Sequence, residues 1–267
     1  MIITTSRENE VLVSRAIRIS EKYGIRYVER GKRSIADMTI NEDPEVFVAN
    51  GSHGLSFFAK DHPEAFYHPS MSKLRIIAIK NGGLDALTKN GGLSSGMTFF
   101  DGTMGLASDT LTAAYIVGES GGVISVEKSP IIHILVVEGM KFYAESDPEI
   151  ARLIERIEFV RGDNLDVLRS MEKNSVDLAY FDFMFESPVR KSNGIDVIRQ
   201  NAVYDKASEE LIREANLVSG GNTLFKTDKN GRDYLLGLGH GFRCTGEGAS
   251  RSFYYVRSDC RISEPPQ

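Results

Sequence analysis

Four acids stand where a parallel sheet could present them to one ligand. Asp101 ends the apolar run Met97 to Phe100, and Glu127 ends the run that begins at Gly122. Asp163 follows a third apolar run and Asp182 closes a fourth. In an open α/β sheet the ligand sits outside the carboxyl ends of the strands, so acids at those ends share one rim. Glu127 has two acceptor oxygens, enough for both hydroxyls of a ribose. Asp163 suits the amino group of an adenine. Asp101 either pins its own loop through backbone N–H groups or faces a cationic part of a ligand. Any one of these acids is an ordinary turn former or helix cap. Their common register is what argues for a ligand.

The loop after Asp101 reads Gly102-Thr103-Met104-Gly105-Leu106-Ala107-Ser108-Asp109, with small residues where backbone must approach a ligand closely. A helix-forming stretch, Leu111 to Val117, follows it. Strand, loop, helix and a second strand make a nucleoside-binding half-site. A nicotinamide dehydrogenase would carry G-x-G-x-x-G in this turn. Here the turn has only Gly102 and Gly105, preceded by an acid. The sequence G-x-x-x-x-G-K-[ST] is absent, which argues against a P-loop nucleotide hydrolase. An acid-lined turn serves pyrophosphate poorly. It suits a nucleoside without phosphates, and S-adenosylmethionine is such a ligand.

The fourth run, Val176 to Phe181, ends in Asp182-Phe183-Met184-Phe185-Glu186. This is either an ordinary buried strand entering a loop or a site for a flat base. In the second case Asp182 holds an exocyclic amine and Phe185 stacks on the ring. Arg190 and Lys191 follow, either as solvated loop charges or as contacts to substrate phosphates. His68, beside Pro69, is either a helix-entry residue or a wall of a substrate cleft. His53, His62, His133 and His240 lack metal-ligand spacing, and no metal is expected.

The elements that must hold these residues can be read from periodicity. Strands are expected at 97–101, 122–127, 157–161, 176–182 and 222–226, and helices at 107–117, 130–143, 164–172 and 206–218. Such alternation predicts a parallel sheet covered on both faces. At the end, 241–245 and 252–257 read as an antiparallel hairpin. A parallel sheet closed by an antiparallel strand is similar to the S-adenosylmethionine-dependent methyltransferase fold. The glycine-rich stretch 81–96 punctuates the chain. Before it lie strands at 2–5 and 25–28, a helix at 8–23, a hairpin at 46–49 and 55–59, and a helix at 71–79 with Ser70 as N-cap. The expected fold is therefore α/β, a Rossmann-like sheet with one antiparallel C-terminal strand, preceded by a small α+β domain. The boundaries are 1–90, for substrate recognition, and 91–267, for the cofactor.

The bulk composition is ordinary for a globular protein, 41% hydrophobic and 26% charged, with a net charge of −5. That charge argues against wholesale polyanion binding. Residues 1–36 nevertheless hold eight basic and four acidic side chains. They form either a solvated helix face or a local phosphate-contacting patch, whose binding would be salt-sensitive. The two cysteines, Cys244 and Cys260, form no CxxC pair, and the first residues show no signal architecture. A cytoplasmic location is expected.

Asp101-Gly102-Thr103-Met104-Gly105-Leu106-Ala107-Ser108-Asp109 resembles the D-x-T-x-G-L-x-x-D motif of the bacterial small-subunit ribosomal RNA guanine-N2 methyltransferase family and its Firmicute-type relatives of undefined substrate. Val126-Glu127-Lys128-Ser129-Pro130 resembles that family's L-E-R-S/N-P, and Asp182-Phe183-Met184-Phe185 its D-P-M-F/Y. Arg190-Lys191-Ser192 roughly matches a following basic-Ser element. The likeness covers about 97–200, while Phe66 to Met71 is closer to the Firmicute-type relatives. It implies an S-adenosylmethionine-dependent methyltransferase acting on a base amine in structured, rRNA-like RNA. By resemblance Asp101, Thr103 and Gly105 shape the cofactor loop, and Ser108 and Asp109 contact the cofactor. Glu127 and Lys128 flank its ribose, and Asp163 and Asn164 its adenine. Asp182 and Phe185 carry catalysis, and His68, Phe183, Arg190 and Lys191 meet the substrate. The sequence departs from the family at Phe183, where a proline shapes the turn that presents the target amine. Two alternatives stand beside this reading: a small-molecule methyltransferase on the same fold, and a non-catalytic S-adenosylmethionine-binding protein.

Overall fold

The computed structural model describes residues 1–60, 62–183, 207–239, 241–248 and 253–258. In chain order the elements are β1 (Ile2–Thr5), α1 (Glu10–Tyr23), β2 (Arg26–Tyr27), α2 (Ile35–Asn41), β3 (Glu45–Asn50), β4 (Gly54–Ala59), β5 (Ala65–Phe66), α3 (Ser70–Lys80) and α4 (Ala86–Gly91). There follow β6 (Thr98–Asp101), α5 (Ser108–Val117), β7 (Gly122–Glu127), α6 (Pro130–Ala144), α7 (Pro148–Ile154), β8 (Ile157–Arg161), α8 (Asn164–Ser170) and β9 (Leu178–Asp182). The last are α9 (Glu209–Val218), β10 (Thr223–Thr227), α10 (Lys229–Gly237), β11 (Phe242–Glu247) and β12 (Tyr254–Ser258). They form two compact units. One contains Met1–His68 and Ser129–Arg152; the other contains Pro69–Lys128 and the described residues from Leu153 onward.

The first unit is built on a sheet of order β2-β1-β3-β4-β5. Strand β1 runs parallel to both β2 and β3, and β4 returns antiparallel to β3. Helix α1 starts because Asn9 caps it, accepting from the backbone N–H groups of Val11 and Leu12. It stops at Gly24, whose φ of 69° is the left-handed cap conformation that glycine adopts freely. Its buried residues, Leu12, Ala16 and Ile19, recur at helical spacing. Helix α6 differs, since every residue from Ile131 to Met140 is buried. Such a helix needs cover all round, and α6 packs on β4. Its Glu138 accepts from Lys22 Nζ and Tyr23 Oη, both at 2.8 Å.

The second unit is a sheet of order β11-β12-β10-β9-β6-β7-β8. The five strands β8, β7, β6, β9 and β10 are parallel, and β12 runs antiparallel to β10. The expected α/β class and its reversed C-terminal strand are both present. Strands β7 and β8 fall on the expected limits, and the other expected strands and helices of this unit lie within a few residues of theirs. Phe100, Phe181, Phe225 and Val256 lie fully buried in the core beside β9. Burying each such side chain contributes roughly 1.5–3 kcal/mol. Helix α3 departs from the expected start. Its N-cap is Pro69, without a side-chain cap bond, and Ser70 is the first helical residue.

Candidate active site

The chain leaves β6 through α5 towards β7, but returns from β8 through α8 to β9 on the other side of β6. Neighbouring strands whose connections diverge open a crevice at their carboxyl ends, the usual ligand site of such sheets. Asp101 and Asp182 close these two strands.

Asp101 is fully buried and pins the loop. It accepts from Thr103 N at 3.0 Å and from the Thr110 hydroxyl at 2.6 Å, and that hydroxyl also meets Ser125 Oγ at 2.9 Å. Burial pushes its carboxyl up to about 7, against the Thr110 hydrogen bond. Next to it Gly102 has no room for a side chain: a Cβ there would lie 2.2 Å from Phe181 Cε1. Thr103 reaches across to β9, and the Asp182 backbone N–H donates to its hydroxyl at 2.7 Å. Gly105 has φ of 50°, and its N–H donates to Glu127 Oε2 at 3.0 Å. Ala107 takes the left-handed region too, with φ of 55°, which is strained for a residue with a Cβ. Ser108 follows it as the first residue of α5.

The outer edge of the rim is equally well tied. Asp163 caps α8 through Leu165 N at 2.9 Å and pairs with Lys128 Nζ at 2.9 Å. Burial alone would raise its carboxyl, but Lys128 outweighs that and holds it below the ordinary range. Asn164 donates to the Gly102 carbonyl oxygen at 3.0 Å. Thus Asp101, Thr103, Gly105, Glu127, Lys128, Asp163 and Asn164 converge in one hydrogen-bonded loop system.

Two cations were not anticipated. Lys226, on β10, reaches Asp182 Oδ2 at 2.5 Å. Arg75, on α3, bonds Asp85 through two nitrogens at 2.9 Å and Asp109 at 2.5 Å. Asp109 also accepts from Tyr180 Oη at 3.1 Å. Burial works against ionised Asp109, yet Lys226 and Arg75 hold its carboxyl below the ordinary range. Burial pushes the Asp182 carboxyl up; Lys226 opposes this and Asp109 adds to it. A lone lysine in the otherwise uncharged run Thr223-Leu224-Phe225-Lys226-Thr227 was the available signal for the first cation.

Phe183 turns inward. It is 6% exposed, and its ring stacks on Phe181 and Phe225 with centroids 5.6 and 6.3 Å away. His68 belongs to the first unit, exposed, edge-on to the Tyr143 ring at 5.3 Å. Phe185, Arg190 and Lys191 lie outside the described residues.

A mostly parallel sheet with a reversed last strand, a glycine-bearing loop after the first strand and an acid at the end of the second define the S-adenosylmethionine-dependent methyltransferases as a class. The donor set suits that cofactor: a carboxylate-rich rim receives a sulfonium cation and a neutral nucleoside better than a phosphate. Residues 63–219, more than half the chain, match the family described as "Putative SAM-dependent methyltransferase". The chain belongs to this family, and S-adenosylmethionine is its cofactor. It is 30% identical over 226 residues to the Bacillus subtilis "Uncharacterized protein YpiP", covering 85% of this chain and 88% of that one. It is 32% identical over 105 residues to "Ribosomal RNA small subunit methyltransferase J" of Acinetobacter baumannii, covering 39% of this chain and 36% of that protein. The crystal structure of a SAM-dependent methyltransferase from Neisseria gonorrhoeae aligns with a TM-score of 0.61 at 14% identity. That alignment covers 99% of this chain and 98% of the other, and it speaks for the fold. No helix among the described residues is long and apolar enough to cross a membrane.

Proposed function

We propose that this methyltransferase modifies a base amine in structured, rRNA-like RNA. The observation that carries the reading is Asp182. It ends β9 at the β6/β9 crevice, with its backbone fixed by Thr103 and its carboxylate steadied by Lys226. A carboxylate held there orients an amine and accepts a hydrogen bond as the nitrogen lone pair is freed. S-adenosylmethionine supplies the electrophilic methyl group, and positioning of the acceptor supplies most of the protein's share of the rate. The Acinetobacter baumannii relative, whose name makes it a ribosomal RNA methyltransferase, is similar over 105 residues, which supports RNA as the acceptor class.

In this reading Asp101, Thr103, Gly105, Ser108 and Asp109 shape the cofactor loop and the start of α5. Glu127 and Lys128 hold the ribose, and Asp163 and Asn164 the adenine. Phe185 stacks on the target base, with Arg190, Lys191 and His68 on the substrate side. Phe183 stands where the related motif has proline. Through its stack on Phe181 it anchors the strand end from inside the core.

Tritiated methyl transfer to RNA from a strain lacking the protein, followed by nucleoside analysis, tests this. Label is expected in a single methylated base. Asp182→Ala should keep S-adenosylmethionine affinity while transfer falls by about 10²-fold or more. Transfer at the wild-type rate, or a loss of transfer accounted for by lost cofactor affinity, would refute the role of Asp182. The net charge of −5 favours a second reading, a small-molecule acceptor on the same fold. RNA binding without salt sensitivity, or none, would select it.

A further inference from the structure

The first unit contains a cleft of about 800 Å³ that shares no residue with the methyl-transfer rim. Its place follows from the topology. Strands β1 and β3 are parallel neighbours, but the chain leaves β1 through α1 towards β2 and leaves β3 towards β4 on the other side. The loops after β1 and β3 therefore part at the carboxyl ends of two parallel strands, an end of the sheet where α/β proteins commonly bind ligands. Ser6 and Arg7 line the cleft just after β1, and Ser52 and His53 just after β3. Ile35, Val48 and Phe58 give it an apolar wall.

Both rims are built. Asn50 Oδ1 accepts from the backbone N–H groups of Ser52 at 3.0 Å and His53 at 2.8 Å, while its amide nitrogen donates to Ser56 Oγ at 2.8 Å. Arg30 donates to the carbonyl oxygen of Ser6 and to that of Arg33. Two lining groups remain without such bonds. Arg7 makes no hydrogen bond or ion pair among the described residues. His53 Nδ1 is buried without a hydrogen-bond partner, while the ring stacks on Phe66 at 3.6 Å. Among the lining residues Arg7 and Arg30 oppose one carboxylate, Glu64.

We infer that this cleft binds a nucleotide bearing one phosphate group, with the base against the apolar wall and the phosphate at Arg7. A bare phosphate would leave the wall of Ile35, Val48 and Phe58 unused. An uncharged nucleoside would leave Arg7 unused. The lining's small excess of positive charge suits a single phosphate group, with one charge in a chain and about two when terminal, better than the charge of a triphosphate. Glu8 and Glu10, on the same loop and first helical turn, repel further phosphates. The nucleotide is either free monophosphate or one residue of a single-stranded RNA. The inference stands apart from the acceptor reading, because binding here is measured without turnover.

The test uses the full-length ¹⁵N-labelled chain, with the rim saturated by S-adenosylhomocysteine. It is titrated with each of the four ribonucleoside monophosphates, with the matching nucleosides and triphosphates, and with single-stranded tetraribonucleotides. At least one monophosphate is expected to shift the amides of 6–12 and 50–53, and to bind more tightly than its nucleoside and its triphosphate. Arg7→Glu should weaken it about tenfold or more. Ser52→Trp, at an exposed position on the rim, should block it while cofactor affinity stays at the wild-type value. A tetranucleotide that binds more tightly than the monophosphate identifies RNA as the source; equal affinity identifies the free nucleotide. No shift at millimolar monophosphate, shifts elsewhere only, or a triphosphate that binds best would overturn the inference.

Discussion

Asp101 and Asp182 end neighbouring strands, yet burial treats them differently. Asp182 keeps a cation beside it, whereas Asp101 is fully buried and bonded to the neutral Thr103 N–H and Thr110 hydroxyl. Burial therefore raises its carboxyl from an ordinary 3.8 to about 7, the Thr110 bond opposing and Asp109 adding to the rise. A carboxyl whose value is raised on folding binds more protons in the folded state between those two values. Stability from this group is present at low pH and is lost as pH rises from 3.8 through about 7. Asp101→Asn removes that slope. Its amide oxygen can accept from Thr103 N, and its N–H₂ can donate to the Thr110 hydroxyl, which then turns to Ser125. The unfolding midpoint of Asp101→Asn, relative to wild type, is expected to climb as pH rises through this window. A pH-independent difference would count against the assignment. The acids themselves were legible in the sequence because strand ends are. Their partners Thr110, Ser125 and Lys226 were not, because separate elements bring them in and no local spacing records that.

At the scale of elements, the loop after β6 is shaped by the packing of β9. Phe181 has no exposed surface and packs against both Phe183 and Phe225, so its ring cannot yield. Gly102→Ala sets a Cβ 2.2 Å from that ring, which forces the loop outwards. The expected cost is about 1–3 kcal/mol, seen as a lower urea midpoint. The displaced Thr103 hydroxyl also loses Asp182 N–H, so S-adenosylhomocysteine affinity should fall together with stability. Gly122→Ala, with nothing within 4 Å of its Cβ, is the control and should change neither. Elements such as β7 and α6 were readable because they are apolar-rich runs that open on Gly122 and Pro130. Helix α2 is only seven residues long, and α10 contains Gly231 and Gly237, which weaken a helical signal. The two-residue strand β5 is too short to show any alternation.

For the molecule as a whole, α6 is the informative helix. In sequence it sits between β7 and β8, as the crossover of a parallel pair, and so it reads as part of 91–267. Its apolar residues cover the full circumference, a pattern that signals burial without naming the neighbour. In the folded chain it belongs to the first unit, where Gly139 lies against Tyr67 so closely that a Cβ would come within 2.5 Å of that side chain. Tyr67 is fully buried, and a Cβ at Gly54 would meet Phe142 of the same helix at 2.4 Å. The small sheet is thus completed by a segment distant in sequence. A fragment of residues 1–90 keeps all of β1 to β5 but bares the surface of β4 and Tyr67 that α6 covers. It is expected to lack a cooperative unfolding transition and to give a poorly dispersed amide spectrum. Adding a peptide of residues 129–152 should restore both, because the missing cover returns while β7 and β8 stay absent. A well-dispersed, cooperatively unfolding 1–90 fragment without the peptide would show instead that the sheet closes its core unaided.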